Sequence, residues 1–441
     1  MRRVLTLLSL CVFTLSAADK PKAQTSADPA LVAEIGRIKA IDNHTHVTCV
    51  VGPGEEDHEY DALPFELLEP FPLMVRLRSD NVEYAAAWRA LFGYKHADMT
   101  EAHVRELGEQ KRRIMRERGD GYPAWVLDQL GIETMLANRV AMGRGLTAPR
   151  FRWVSYIDAL VFPLNNDAAK RSNLDYRAFY PAEERLLKRY LGDLKLNALP
   201  ATLKDYLATV VTATLDRQKR EGAVAVKFEI AYLRSLLFGN PAEADAARVY
   251  ERWAKGGEPP PGDYEVLQDY LFRYACREAG RLGLVVHIHV FDGGGGSYVQ
   301  SGSNPLLLDS VFNDPSLRKT NFVIVHGGYP HTKSTAGMLS KGNVWADFSA
   351  QGLLLYPRAL SEILRNWLEY YPEKVMFGTD ASPTSADIGW EETGWLATVA
   401  AREALALALT GMMNDKEITR ERAVELARMV LRENAIKLYG F

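Results

Sequence analysis

Short apolar runs recur along this chain, and most are followed by a stretch whose apolar residues repeat at helical spacing. The runs Ala40–Val47, Ile132–Ala137, Phe151–Ile157, Ala223–Ile230, Leu284–Val290, Phe322–His326, Val344–Asp347 and Val375–Thr379 read as strands. Helical patterns fall near Pro181–Gly192, Leu203–Glu221, Ala242–Ala254, Tyr264–Leu282, Thr332–Ser340, Pro357–Tyr371 and Trp390–Leu409, with a last helix over Thr419–Leu438. Alternation of this kind predicts a parallel sheet, and eight repeats predict closure into a (β/α)8 TIM-type barrel of α/β class. Between the first two strands, about residues 52–121, the pattern changes. This stretch is charged and aromatic, with helical spacing over Asn81–Phe92 and Thr100–Arg118, and it reads as a helical insertion after strand one. No repeat of fixed period appears.

The N-terminus has a pattern of its own. Arg2 and Arg3 precede the apolar stretch Val4–Leu15, and Ser16-Ala17-Ala18 follow. A basic start, a short apolar run and small residues make a secretory signal over residues 1–18, so a secreted or periplasmic location is expected. Residues 19–30 read as a polar linker and 31–441 as the barrel. The apolar run is too short for an ordinary membrane span, and no other window reads as one.

Composition narrows the partners. With 47% hydrophobic and 25% charged residues the chain can build a large core, and its net charge of −3 carries no basic run for nucleic acid. A small-molecule substrate is the expected partner, and homo-oligomerisation is left open. Cys49 and Cys276 lie too far apart in sequence to imply a disulfide framework.

The chemistry gathers where the strands end. Side chains alternate faces along a strand, so His44 and His46 share one face and can grip one divalent ion at the mouth of the barrel. His287 and His289 share a face at the end of strand five, with His289 nearer the mouth. His326 ends strand six and Asp380 follows strand eight. Of nine histidines, five lie at the ends of three apolar strands, which chance does not explain. Imidazole and carboxylate are the donors of a catalytic Zn²⁺, Mn²⁺ or Fe²⁺ site, with zinc the first choice. Asp380 fits a metal ligand that also shuttles a proton, and His326 fits a group that polarises a substrate carbonyl. Lys227 ends strand four. It can bind a substrate carboxylate, or be carboxylated and bridge two ions, and Glu229 on the same face can neutralise it. Tyr232 and Arg234 in the next loop are candidates for substrate binding, as is His287, with Arg234 suited to clamping a carboxylate. Asp347 is placed to orient a ligand histidine. The glycine run Gly293–Gly296 lets backbone approach a ligand closely.

These residues resemble the amidohydrolase superfamily, in particular its "amidohydrolase 2" type. The resemblance rests on Ile41-Asp42-Asn43-His44-Thr45-His46, His289, His326-Gly327, Gly378-Thr379-Asp380 and the ending Asn434-Ala435-Ile436-Lys437-Leu438-Tyr439-Gly440. It is strongest with the amidohydrolase domain fused to glutamine synthetase in some fungal and plant proteins. It implies His44 and His46 as strand-one ligands and His289 as the strand-five ligand. It implies His326 as a second-metal ligand or an acid, and Asp380 as the strand-eight ligand and proton shuttle. Lys227 falls where members with two metals carry a carboxylated lysine. His289-Val290-Phe291, the extra His287 and the long insertion depart from the family pattern.

The expected activity is hydrolysis of a C–N bond, or a related ester or lactone, by metal-activated water. Non-oxidative decarboxylation of a small acid is the alternative, and a non-catalytic binding domain is the third reading. The ligand spacing does not separate the first two.

Overall fold

Eight parallel strands stand in the order β1 to β8 in the computed structural model, which describes residues 26–52, 54–68 and 72–441. They are β1 (Ala40–Thr45), β2 (Ile132–Arg139), β3 (Phe151–Tyr156), β4 (Ala223–Phe228), β5 (Val285–His289), β6 (Phe322–Val325), β7 (Val344–Asp347) and β8 (Val375–Met376). The secretory signal expected over residues 1–18 lies outside the described residues, as does most of the linker. Each strand is buried almost throughout, which is why its sequence is a continuous apolar run. Helices fall between most of the strands. Phe179–Asp193, Glu243–Trp253, Pro261–Arg281 and Pro357–Tyr370 lie close to the predicted ranges.

β8 is shorter than predicted. Beyond Met376 the chain still closes the ring on β1: Asn43 N donates to Phe377 O at 3.0 Å, Asp380 N to His44 O at 2.8 Å and His46 N to Ala381 O at 2.8 Å. Asp380 lies in the left-handed region, with φ 61°, so the regular strand stops before it. These closing bonds set Asp380 beside the β1 histidines.

Apolar side chains fill the barrel. Ile41, Leu136, Val154, Ala225, Val285, Val323, Trp345 and Met376, one from each strand, form an inner cluster, and Leu438, Tyr439 and Phe441 pack against it. A second and larger core lies between the sheet and the helices. The helix Trp390–Asn414 is long and apolar enough to cross a membrane, contrary to the expectation from the sequence, but 72% of its apolar window is buried inside the fold. A core helix accounts for that composition.

Between β1 and β2 the chain forms helices Glu83–Phe92, Glu101–Arg118 and Tyr122–Leu130 and irregular segments. Charge pairs, each with a buried partner, tie this region down. Arg76 meets Glu83 and the carbonyls of Gly352 and Leu355, Lys111 meets Glu392, and Arg139 meets Asp57. Among the described residues, Cys49 and Cys276 form no disulfide.

Candidate metal centre

Three donor atoms form a triangle at the barrel mouth. His44 Nε2 and His46 Nε2 are 3.2 Å apart, and Asp380 Oδ1 lies 3.3 Å from the first and 3.4 Å from the second. A tetrahedral ion with ligand bonds of about 2.0–2.1 Å needs donors about 3.3–3.4 Å apart. The donor set therefore fits a divalent cation such as zinc. His44 and His46 are buried, while the Asp380 side chain keeps 22% exposure and faces the mouth.

Two histidines reach this mouth against the strand alternation. Ile41 sits in the inner cluster, and Asn43 bonds inside the barrel to Asp347 and Tyr439. Strict alternation from these residues turns His44 and His46 outwards. The register supplies the correction: Asp42 pairs with Met135 and Thr45 with Ala137, so β1 spends one extra residue there. A bulge of this kind reverses the facing of the residues beyond it. Asp42 holds it, accepting from His44 N, Thr379 N and Thr379 Oγ1. At β6, Val323 and Val325 face inwards, and His326 joins them through a left-handed backbone with φ 62°.

A chain of hydrogen bonds assigns the tautomers of His326 and His289. The Asp347 carboxylate accepts from His326 N, Ser349 N, Asn43 Nδ2 and Ser349 Oγ. Ser349 Oγ spends its proton on Asp347 at 2.6 Å, so it accepts from His326 Nδ1 at 2.9 Å. His326 Nε2 then carries a lone pair, and His289 Nδ1 donates to it at 3.1 Å. His289 Nε2 is left with its own lone pair, buried and without a partner among the described residues, as befits a ligand atom. Asp347 thus orients His326 through Ser349. The tight three-donor group holds His44, His46 and Asp380. His289 and His326 stand beside it, with His326 ring-to-ring against His44 at 4.9 Å.

Electrostatics suit these roles. Burial, joined by the charge of Lys227, holds His44 and His289 well below the ordinary histidine range, and burial takes His326 down to about 4. All three are neutral at pH 7, as ligands must be. Burial opposes the charged form of Asp380, but His326, His44 and His46 outweigh it and hold the carboxyl well below the usual carboxylate range. His46 is the exception. Burial pulls it down, yet Asp61 and Asp380 push it up to about 10. An ion that binds His46 must therefore displace a proton below that pH. Apparent affinity is expected to rise about tenfold per pH unit from 7 to 9, with one proton released per ion. Titration calorimetry in buffers of different ionisation enthalpy measures the release, and an affinity flat over that interval contradicts it.

Lys227 is wholly buried in β4, and its Nζ lies 3.2 Å from Glu229 Oε1. As an ammonium it is neutralised there. A carbamate would set two anions side by side. Tyr232 tilts against His289, 4.3 Å between ring centroids, on the wall of the mouth.

Two expected substrate contacts are placed elsewhere. Arg234 is not free to clamp a carboxylate: its guanidinium bonds to Asp269 and Gln268 at 2.9 Å each, over the Phe238 ring. Its charge is already matched, and it ties the loop after β4 to the helix Pro261–Arg281. His287 lies one layer below His289 and bonds through Nε2 to Tyr439 Oη at 2.6 Å, in the barrel interior. Burial takes it down to about 3, so it is a neutral interior residue away from the mouth. The glycine loop after β5 packs on Asp175, whose carboxylate accepts from Gly296 N and Ser297 N. Gly295, at φ 117°, leaves no room there for a Cβ.

Sequence reasoning missed Asp61. Its Oδ2 lies 2.8 Å from His46 Nδ1, with 6% of its side chain exposed. It comes from the irregular start of the insertion, where no periodicity marks it. Tyr156, whose Oη is 3.0 Å from the same nitrogen, carries no sequence signal either, since it reads as one more apolar strand position.

Comparison with known proteins places this geometry. Residues 160–441 match the family model described as amidohydrolase, a span that includes His289, His326 and Asp380. The FluG protein of Emericella nidulans is 30% identical over 140 residues, 31% of this chain but only 15% of that protein. A Lactobacillus casei structure described as a metal-dependent hydrolase superposes with a TM-score of 0.59 at 14% identity, covering 93% of this chain and 97% of that one. The uronate isomerase of Thermotoga maritima does so with 0.57 at 12% identity, covering 93% and 96%. These two likenesses show the fold.

Proposed function

The chain belongs to the amidohydrolase family, and from that premise we propose that it is a metal-dependent hydrolase cleaving a C–N bond, or a related ester or lactone, of a small molecule. The observation that carries this reading is the triangle of His44, His46 and Asp380 at 3.2–3.4 Å, open to the mouth on the Asp380 side. Zinc is the ion this nitrogen and oxygen set suits best, with manganese or iron as alternatives. A bound divalent ion supplies Lewis acidity, which acidifies water and polarises a carbonyl.

The residues supply the rest. Asp380 is a carboxylate at neutral pH and the most exposed of the three donors. It accepts a proton from water and returns it to the leaving group. His289 offers its bare Nε2 to the cup. His326, held by Ser349 and Asp347, keeps His289 in that tautomer. Tyr232 lines the wall where substrate lies. The Lys227–Glu229 pair favours a centre with one ion over one bridged by a carboxylated lysine.

Metal removal and return tests the proposal. The chain stripped by a chelator is expected to lose activity and to regain it with Zn²⁺. At an ion concentration a hundred times the dissociation constant the fold gains about 2.7 kcal/mol. Activity is read as ammonia, amine or alcohol release from a panel of small amides, esters and lactones. Carbon dioxide release from small acids instead overturns the hydrolase in favour of a decarboxylase. A chain that binds no divalent ion overturns both.

A further inference from the structure

We propose that Asp61, delivered by the insertion, is the positioning residue that fixes His46 for the metal, so that docking of the 54–63 strap and loading of the ion are coupled. The inference rests on the proposed metal centre.

A neutral imidazole has one lone pair. With the His46 Nε2 lone pair directed into the cup, the ring proton sits on Nδ1 and needs an acceptor. Asp61 Oδ2 is that acceptor at 2.8 Å, inside the protein. Tyr156 Oη, at 3.0 Å, is a neutral second partner. A carboxylate behind a ligand imidazole fixes the ring and strengthens the donor. His46, Asp61 and Glu229 also bring ligand atoms within 4.8 Å of one another, which suggests a cation site of their own. That site needs a lone pair on Nδ1, which the cup's use of Nε2 removes. Glu229 moreover already neutralises Lys227. Asp61 therefore acts through His46.

The strap that carries Asp61 is held from both sides. Arg139, in β2, grips Asp57 with two bonds of 2.7 and 2.9 Å and also donates to Val47 O just after β1. Asp57 Oδ2 accepts from Cys49 N at 2.7 Å, and Glu59 O accepts from Val140 N at 2.9 Å. Asp61 Oδ1 accepts from Leu63 N at 3.0 Å, which sets the other oxygen towards His46. The strap thus spans the ends of β1 and β2 and closes on the histidine from outside the cup. Coupling between two equilibria is reciprocal. If the docked strap strengthens metal binding, the metal stabilises the docked strap by the same factor.

The test uses the full chain, stripped of metal and titrated with Zn²⁺ against a chromophoric chelator. Titrated over a range of pH and fitted with His46 protonation as a competing equilibrium, Asp61→Asn is expected to show a pH-independent Zn²⁺ constant about 10–100-fold weaker. Its Co²⁺ form is expected to show a shifted visible spectrum, which a merely structural role leaves unmoved. In the wild type, Zn²⁺ is expected to slow amide hydrogen exchange over 54–63, and in Asp61→Asn this protection disappears. Asp57→Asn keeps Asp61 but loosens the strap, and is expected to weaken Zn²⁺ binding severalfold. It also stands in if Asp61→Asn does not fold. Wild-type Zn²⁺ binding with an unchanged constant in both variants, or strap exchange indifferent to Zn²⁺, overturns this inference alone. A wild-type chain that takes up no divalent ion overturns it together with the proposed metal centre.

Discussion

Replacing Asp380 with asparagine is expected to lower kcat by about 10²–10⁴-fold while the fold survives. Asp380 sits at φ 61°, a conformation that asparagine tolerates almost as well as aspartate. Its backbone N–H bond to His44 O, which closes the barrel, is untouched by the change. The amide is nearly the same size as the carboxyl, so packing is kept. What is lost is charge and basicity. The neighbouring histidines keep Asp380 ionised against its burial, so the wild type presents a proton acceptor throughout neutral pH. The amide cannot take a proton, and it is a weaker metal ligand. Thermal melting, metal content and turnover on the best substrate of the panel check the three parts separately. Unchanged turnover would remove Asp380 from the mechanism.

Replacing Lys227 with methionine is expected to cost about 3–5 kcal/mol of stability near pH 8, because it removes the cation from a buried pair. Glu229 loses the cation 3.2 Å away, while Asp158, which accepts from Glu229 N, and Glu183 stay buried beside it. Burial, with the charge of Asp61 next, already pushes Glu229 up to about 7 although Lys227 opposes it. Without Lys227 it rises further. A carboxyl whose folded value stands above its unfolded value of about 4.5 favours the folded state when protonated. The cost is therefore largest at alkaline pH and shrinks as pH falls from 8 towards 5. Urea unfolding of both proteins at pH 5.5 and 8 measures it. A loss independent of pH would show that Lys227 contributes packing rather than charge.

Much of this molecule was legible in the chain. The strands are apolar on both faces because both faces are buried, so eight short Val- and Ile-rich runs stood out against helical patterns. His289, His326 and Asp380 were visible because a polar residue ending such a run must have a use at the barrel mouth. The same logic misplaced two residues. His287 shares the face of His289, but the mouth is one layer deep, and Tyr439 takes up the layer beneath. Arg234 follows the right strand, but Asp269, on a neighbouring helix, claims its charge.

The pattern of apolar and polar positions along the chain was enough by itself to determine the (β/α)8 barrel and the gathering of histidines and an aspartate at its mouth. Strand period and burial are local properties that each segment carries with it. Only the tertiary structure decided how the gathered groups face one another. The extra residue in β1 turns His44 and His46 inwards, and left-handed backbone brings in His326 and ends the strand before Asp380. These are departures from strand geometry, stabilised by hydrogen bonds that Asp42 and Asp347 accept from partners distant in sequence. Asp61 reaches His46 from an irregular segment whose path depends on Arg139 in the next strand. No local period encodes such contacts, because their energy comes from residues that meet only when the barrel closes.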